Sequence, residues 1–356
     1  MTTRLLRRLA GRAGMRLGVA VCVVRPAGVA AVATAAAAAA VTAASPAIAL
    51  AAAAPHRQMP HSTGAVPGRG LTLAQAPAGL PAAVRRTLGL PAVAAAASQL
   101  AKLTAADAAA NDSFGWSVAV SGSTAVVGAY GKNSNTGAAY VFTGSGSPWT
   151  QRAKLTATGG APGDRFGYAV ALSGSTVVVG APGRNTGTGA ASVYAGSGST
   201  WSQRAELTAS DPATTAYFGW SVALSGSAAV VGAPGNYNYT GTAYVFTGSG
   251  SSWPWQAELT AADGGPGDKF GLSVAIAGPT AVVGAPLSNA AGTGAAYVFT
   301  SPGLASSWPQ QAELTAADAA TGDHFGNSVA LSTSTLLVGA PWKNSVTGAA
   351  YVFAGV

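Results

Sequence analysis

The dipeptide Phe-Gly recurs at Phe114, Phe166, Phe218, Phe270 and Phe325 of this 356-residue chain, and a Gly-Ala follows each Phe fourteen residues later, at Gly128, Gly180, Gly232, Gly284 and Gly339. Leu103, Leu155, Leu207, Leu259 and Leu314 keep the same step, and so do Trp149, Trp201, Trp253 and Trp308. Four landmarks held in register mean that one supersecondary unit of about 50 residues is repeated, and that each copy buries its apolar faces against its neighbours.

Each copy contains four short runs separated by Gly, Ser, Pro or Asn, which in the second copy are GYAVALS, TVVVGAP, ASVYAG and WSQRAEL. They are designated A, B, C and D. Gly and β-branched residues occur throughout and no 3.6-residue stripe survives, so the runs are strands. A four-stranded antiparallel unit of this length is a propeller blade, which makes the expected fold all-β: a five-bladed β-propeller over residues 97–356. Repeats are expected near 104–155, 156–207, 208–259, 260–314 and 315–356. The fifth copy runs to Tyr351-Val352-Phe353 with strands A to C alone, while Gln99, Ala101, Lys102 and Leu103 match Gln151, Ala153, Lys154 and Leu155 of a D strand. Residues 97–103 are therefore expected to complete the last blade and leave no free sheet edge between first and last.

The net charge of +8 misdescribes this region. Residues 1–96 hold ten Arg and no Lys, Asp or Glu, whereas residues 97–356 hold nine basic against eleven acidic residues. The basic character belongs to a leader, and nothing in the repeats argues for nucleic-acid binding. Arg4, Arg7, Arg8, Arg12 and Arg16 precede an Ala/Val run, and Ala47-Ile48-Ala49 offers a small-x-small cleavage site. That pattern is expected of a signal peptide over residues 1–49, cut near Ala49 or as late as Ala54, and hence of a secreted or cell-surface protein. A membrane is a partner only if the leader stays uncleaved. Residues 50–96 read as an Ala/Pro-rich linker or pro-segment. The single cysteine, Cys22, falls within the leader, so the repeats can form no disulfide.

Phe-Gly, then Ser-Val-Ala or its variants, then Val-Gly-Ala-Pro, as from Phe166-Gly167 to Gly180-Ala181-Pro182, resembles the FG-GAP repeat of integrin α chains and of exported bacterial proteins. The resemblance implies a binding or adhesion module. Several repeats of the family's animal members carry an Asp/Asn-rich calcium loop between strands A and B, and those members have seven blades. Here the corresponding loops, such as Ser121-Gly122-Ser123-Thr124 and Ser332-Thr333-Ser334-Thr335, hold no carboxylate. A calcium site needs several charged oxygens, so no cofactor or metal is expected there.

In an up-and-down meander the B-C and D-A loops share one face. Of the twenty charged residues in 97–356, seven lie on D strands and the remaining thirteen in those two loop sets, so this is the candidate functional face. Asp112, Asp164, Asp268 and Asp323 each stand two residues before Phe-Gly, where they would ring the mouth of a central channel. They read either as a carboxylate ring for a cation or polar ligand, or as side chains that satisfy loop amides. In the B-C loops, Tyr237, Tyr239, Trp342, Arg184, Lys132 and Lys343 suit recognition of a protein or a glycan. A propeller hydrolase using the channel-mouth Asp residues is the alternative, since glycoside hydrolysis needs two carboxylates about 5–10 Å apart. Equivalent repeat positions give those carboxylates like environments, where a catalytic pair needs unlike ones, so no enzyme is expected. A structural role in an envelope assembly is a third reading.

Overall fold

The computed structural model of the chain describes residues 99–289, 292–304 and 307–355. The expected signal peptide and linker lie outside them. The described residues form five antiparallel sheets, one per repeat, each meandering in chain order. The first contains β1 (Ser117–Ser121), β2 (Thr124–Ala129), β3 (Ala138–Thr143) and β4 (Thr150–Leu155). The second contains β5 (Ala169–Ser173), β6 (Thr176–Ala181), β7 (Ala190–Ser197) and β8 (Thr200–Leu207). The third contains β9 (Ser221–Ser225), β10 (Ala228–Ala233), β11 (Thr242–Thr247) and β12 (Trp255–Leu259). The fourth contains β13 (Ser273–Ala277), β14 (Thr280–Ala285), β15 (Ala295–Thr300) and β16 (Gln310–Leu314). The fifth has three strands, β17 (Ser328–Leu331), β18 (Thr335–Ala340) and β19 (Ala349–Ala354). This is the expected all-β, five-bladed, propeller-like architecture.

Burial follows from each strand's place in its blade. In the second, third and fourth blades the B strands are covered on both faces by adjoining blades, so they read as near-unbroken apolar runs and β10 is buried along its whole length, whereas β18 of the last blade alternates. The D strands are outermost and alternate, as β8 does with Trp201, Gln203 and Ala205 half-buried between exposed Ser202, Arg204 and Glu206. In the first four blades the C-D pairing shifts register once, between Val141 and Phe142 in the first and at the matching step in the others.

The Phe-Gly and Gly-Ala landmarks form one joint. A Cβ on Gly128 would stand 2.1 Å from the Gly167 carbonyl oxygen, and one on Gly180 would stand 2.0 Å from that of Gly219. In the first four blades the Gly of Gly-Ala is thus where the next blade's Phe-Gly backbone lands. That Phe-Gly glycine turns with φ near +88° at Gly167, a conformation open to glycine. The Phe before it bridges the preceding blade's C-strand entry, as Gly137 with Phe166 and Gly189 with Phe218. Its ring meets the aromatic side chains of its own C strand edge-on or tilted, 5.3 to 6.0 Å between centroids.

The described residues do not show the expected closure. Residues 99–103 make no strand, and the fifth sheet keeps β19 as an unpaired edge among the described residues. Leu103 instead packs against the first blade's core cluster of Ala105, Val127, Ala129, Ala138, Tyr140 and Phe142. Strand A of each blade packs on strand A of the next, from β1 on β5 to β13 on β17, and no comparable contact joins β17 to β1.

Candidate functional site

The B-C loops are built on one template. After a Gly or Trp, two consecutive residues adopt left-handed backbone: Asn133 and Ser134, Asn185 and Thr186, Tyr237 and Asn238, Asn344 and Ser345. Asn visits this region at little cost, which accounts for the Asn-rich loops conformationally. The turn seats the residue just before the left-handed pair at one fixed place. Its carbonyl accepts the N–H of the Gly that opens strand C, in every blade: Lys132 from Gly137, Arg184 from Gly189, Asn236 from Gly241, Ser288 from Gly294 and Lys343 from Gly348.

At that place the side chain meets the D-A loop. Lys132 is 5% exposed; its Nζ donates to Asp112 Oδ2 at 2.8 Å and to the Asp107 carbonyl. Asp107 also receives Lys154 Nζ and the Tyr140 hydroxyl, each at 2.7 Å. The Lys154 ammonium, with Tyr140, holds the Asp107 carboxyl down to about 2, and Asp112 raises the Lys132 ammonium above its ordinary value. The fifth blade repeats the arrangement with Lys343, Asp323 at 2.9 Å, Asp318 and Tyr351. In the second blade Arg184 bridges Asp164 and Glu206, both at 3.2 Å.

Two blades depart from it. In the third, Ala216 replaces the carboxylate before Phe-Gly and Asn236 replaces the base. Asn236 donates to Asp211 and to Tyr244 Oη, and Asp211 also receives Tyr237 Oη at 2.6 Å. Burial works against the charged form of Asp211, but the hydrogen bonds from Tyr237, Tyr244 and Asn236 prevail and keep its carboxyl below the usual range. In the fourth, Asp263 and Asp268 remain while Ser288 occupies the seat of the base. No basic side chain among the described residues forms an ion pair with either Asp.

The four Asp residues before Phe-Gly all brace their own loops. Asp112, Asp164, Asp268 and Asp323 accept the backbone N–H three residues upstream, at 2.7 to 2.9 Å, from Ala109, Ala161, Gly265 and Ala320. Of the six B-C loop residues singled out in the sequence, Lys132, Lys343 and Arg184 direct their charge inward. Trp342 is half-buried on the His324 ring, 4.4 Å between centroids, and burial of His324 lowers its imidazole pKa. Tyr237 is 55% exposed and Tyr239 39%.

The structure adds aromatic residues that lie outside the repeat landmarks. Trp116, Tyr168 and Trp220 directly follow Phe-Gly in the first three copies, at the start of strand A. With Tyr130 and Tyr217 they make a continuous half-buried ribbon, through centroid steps of 4.8 Å for Trp116–Tyr130, 5.4 Å for Trp116–Tyr168, 4.7 Å for Tyr168–Trp220 and 6.0 Å for Tyr217–Trp220. Leu272 and Asn327 hold the equivalent position in the last two copies, so the ribbon stops at the third blade. The signal was legible as an aromatic residue at one repeat position in three consecutive copies.

No curated protein matches the chain. The profile described as FG-GAP repeat matches it five times, over residues 97–142, 149–195, 201–246, 253–299 and 308–353. With the Phe-Gly/Gly-Ala joint now explained as the contact between blades, the chain belongs to the FG-GAP repeat family.

Proposed function

We propose that this chain is an exported, non-catalytic binding module that recognises a protein or glycan through its B-C and D-A loop face. The observation that carries the reading is the pairing of exposed Tyr237 and Tyr239 with a half-buried aromatic ribbon on a face whose B-C loop cations, Lys132, Arg184 and Lys343, are paired internally. Flat amphipathic rings supply contact area at low entropic cost and offer π-faces to apolar ligand surfaces. Export rests on the Arg-studded, Ala-rich leader. A hydrolase is less well supported, because every Asp before Phe-Gly is engaged by its own loop N–H and none is poised as a free acid or base.

The test is a glycan array together with a cell-surface pull-down using the purified chain, repeated with Tyr237→Ser/Tyr239→Ser and with Trp220→Ala. Loss of captured ligand in these variants, with an unchanged far-ultraviolet circular dichroism spectrum, supports the loop face. Binding that survives all three substitutions places the ligand elsewhere.

A further inference from the structure

The residue just before Phe-Gly is left-handed in every copy: Ser113, Arg165, Tyr217, Lys269 and His324 have φ between 54° and 59°. Glycine would adopt this conformation at no steric cost, yet no copy has it there. Backbone hydrogen bonds fix the turn. In the second to fifth blades its N–H reaches a carbonyl of the preceding blade's B-C loop, as from Arg165 to Asn135 at 2.7 Å and from Lys269 to Tyr239 at 2.8 Å. Its own carbonyl accepts the N–H of the residue three later, which is the ribbon position: Trp116, Tyr168, Trp220, Leu272 and Asn327, at 3.0 to 3.2 Å. One turn thus carries two rows of side chains past the start of strand A.

The outer of these rows holds the two cations of the loop face that lack a counter-ion. The face has Lys132, Arg165, Arg184, Lys269 and Lys343, and the B-C loop three close on Asp112, Asp164 and Asp323. Arg165 is exposed and Lys269 half-buried, and neither forms an ion pair among the described residues. Their sequence neighbours Asp164 and Asp268 accept loop N–H groups from Ala161 and Gly265 instead. The exposed acids Asp107 and Asp318 lie against the C-strand tyrosines Tyr140 and Tyr351, and Asp107 also against Lys154 of an outermost strand. In the blade between the two free cations the same position is Tyr217, 6.0 Å from Trp220. Burial pushes the Tyr168 hydroxyl pKa up and the Arg165 guanidinium opposes it; burial lowers the His324 pKa and the Lys269 ammonium adds to that. Both charges therefore act on aromatic side chains of these two rows.

On the loop-face reading proposed above, on which this rests, we infer that the ligand is an acidic saccharide, its rings on Tyr168, Trp220 and Tyr217 and its carboxylates taken by Arg165 on one side and Lys269 on the other. Sugar rings offer apolar C–H faces that lie on half-buried aromatic rings. A guanidinium takes a carboxylate through two parallel hydrogen bonds, and an ammonium takes one as a point charge. Rings repeated at one position of consecutive blades match a ligand that is itself a repeat. A neutral saccharide would satisfy the rings and leave both cations unanswered.

Calorimetry on the purified full chain, without divalent cations, tests this with polygalacturonate and with its fully methyl-esterified form, the same polymer without its charge. The uronate is expected to bind about tenfold tighter than the ester. Arg165→Gln/Lys269→Gln, with an unchanged far-ultraviolet circular dichroism spectrum, should remove that preference, while Trp220→Ala should weaken both polymers. In the parent chain the preference should also collapse in about 1 M salt, where charges are screened beyond about 3 Å. Equal affinity for the two polymers, a preference that survives the double substitution or high salt, or no binding of either would each overturn the inference. A protein whose capture is lost in Trp220→Ala but withstands excess polygalacturonate would overturn it too, and leave the loop-face reading standing. That reading fails separately, on capture that survives the tyrosine and Trp220 substitutions.

Discussion

The first and fourth blades carry the same acidic pair and answer it differently. In the first, Lys132 lies between Asp107 and Asp112, nearly out of solvent, and the loops on either side are tied through one ammonium group. In the fourth, Asp263 and Asp268 keep their places but Ser288 stands where the ammonium would come from, and the buried Ser288 hydroxyl lies 3.5 Å from Tyr297 Oη. Gly137 and Gly294 still donate to the carbonyls of Lys132 and Ser288 at 2.9 and 3.0 Å, although the fourth loop is one residue longer between those partners. One backbone hydrogen bond is kept while the side chain at the seat and the loop length change. It teaches that the template is fixed by backbone hydrogen bonds, and that charge neutralisation is an option each copy takes up or leaves. The blades also differ at the D-strand Trp: Trp308 is buried in a core cluster in the fourth, whereas Trp149 is half-buried beside its cluster in the first.

The comparison can be broken first at the tryptophans. Trp308→Ala should cost about 3–5 kcal/mol in denaturant unfolding, through lost burial and the cavity left behind, and Trp149→Ala less than half as much. Equal losses would mean that the two blades do not divide their stability in this way. Next, Lys132→Met should cost about 3 kcal/mol, because the buried Asp112 carboxylate loses its counter-charge. Ser288→Ala, which removes no charge, should change stability by about 0.5 kcal/mol or less. Conversely, Ser288→Lys should stabilise by about 0.5–1 kcal/mol, the ordinary value of a partly exposed pair, and that gain should vanish in Asp268→Asn.

The smallest effect is in pH. Asp107 is held at about 2, below its ordinary value of 3.8. A depressed carboxylate contributes stability that is complete above the unfolded value and is lost as pH falls from about 4 through about 2. Asp107→Asn should flatten that part of the acid limb. An identical acid limb in Asp107→Asn and the parent would show that Lys154 and Tyr140 do not act on Asp107 in solution.

The repeat period was enough to place the strands. Phe-Gly and Gly-Ala mark the two close backbone approaches between blades, which only glycine permits, and an alternating D strand such as TWSQRAEL is what an outer, half-solvated edge requires. The loop face was less legible. Lys132, Arg184 and Lys343 look in sequence like cations offered to a ligand, because nothing local says that Asp112, Asp164 and Asp323, twenty residues earlier, fold back onto them. The Asn residues beside them looked like polar contacts, and prove to supply left-handed backbone.

What the sequence alone determined is the unit: its strands, its five copies, its glycine joints and the blade class they belong to, all of which follow from periodicity and from the steric demands of backbone packed against backbone. Which charges are neutralised is settled by the folded chain. That depends on side chains brought together from separate loops, with Lys132 neutralised and Asp263 left without a base among the described residues, although Lys132 and Ser288 both accept the N–H of the Gly that opens strand C. The cost of an unpaired buried charge is set by distance and burial, and neither is written in a linear pattern.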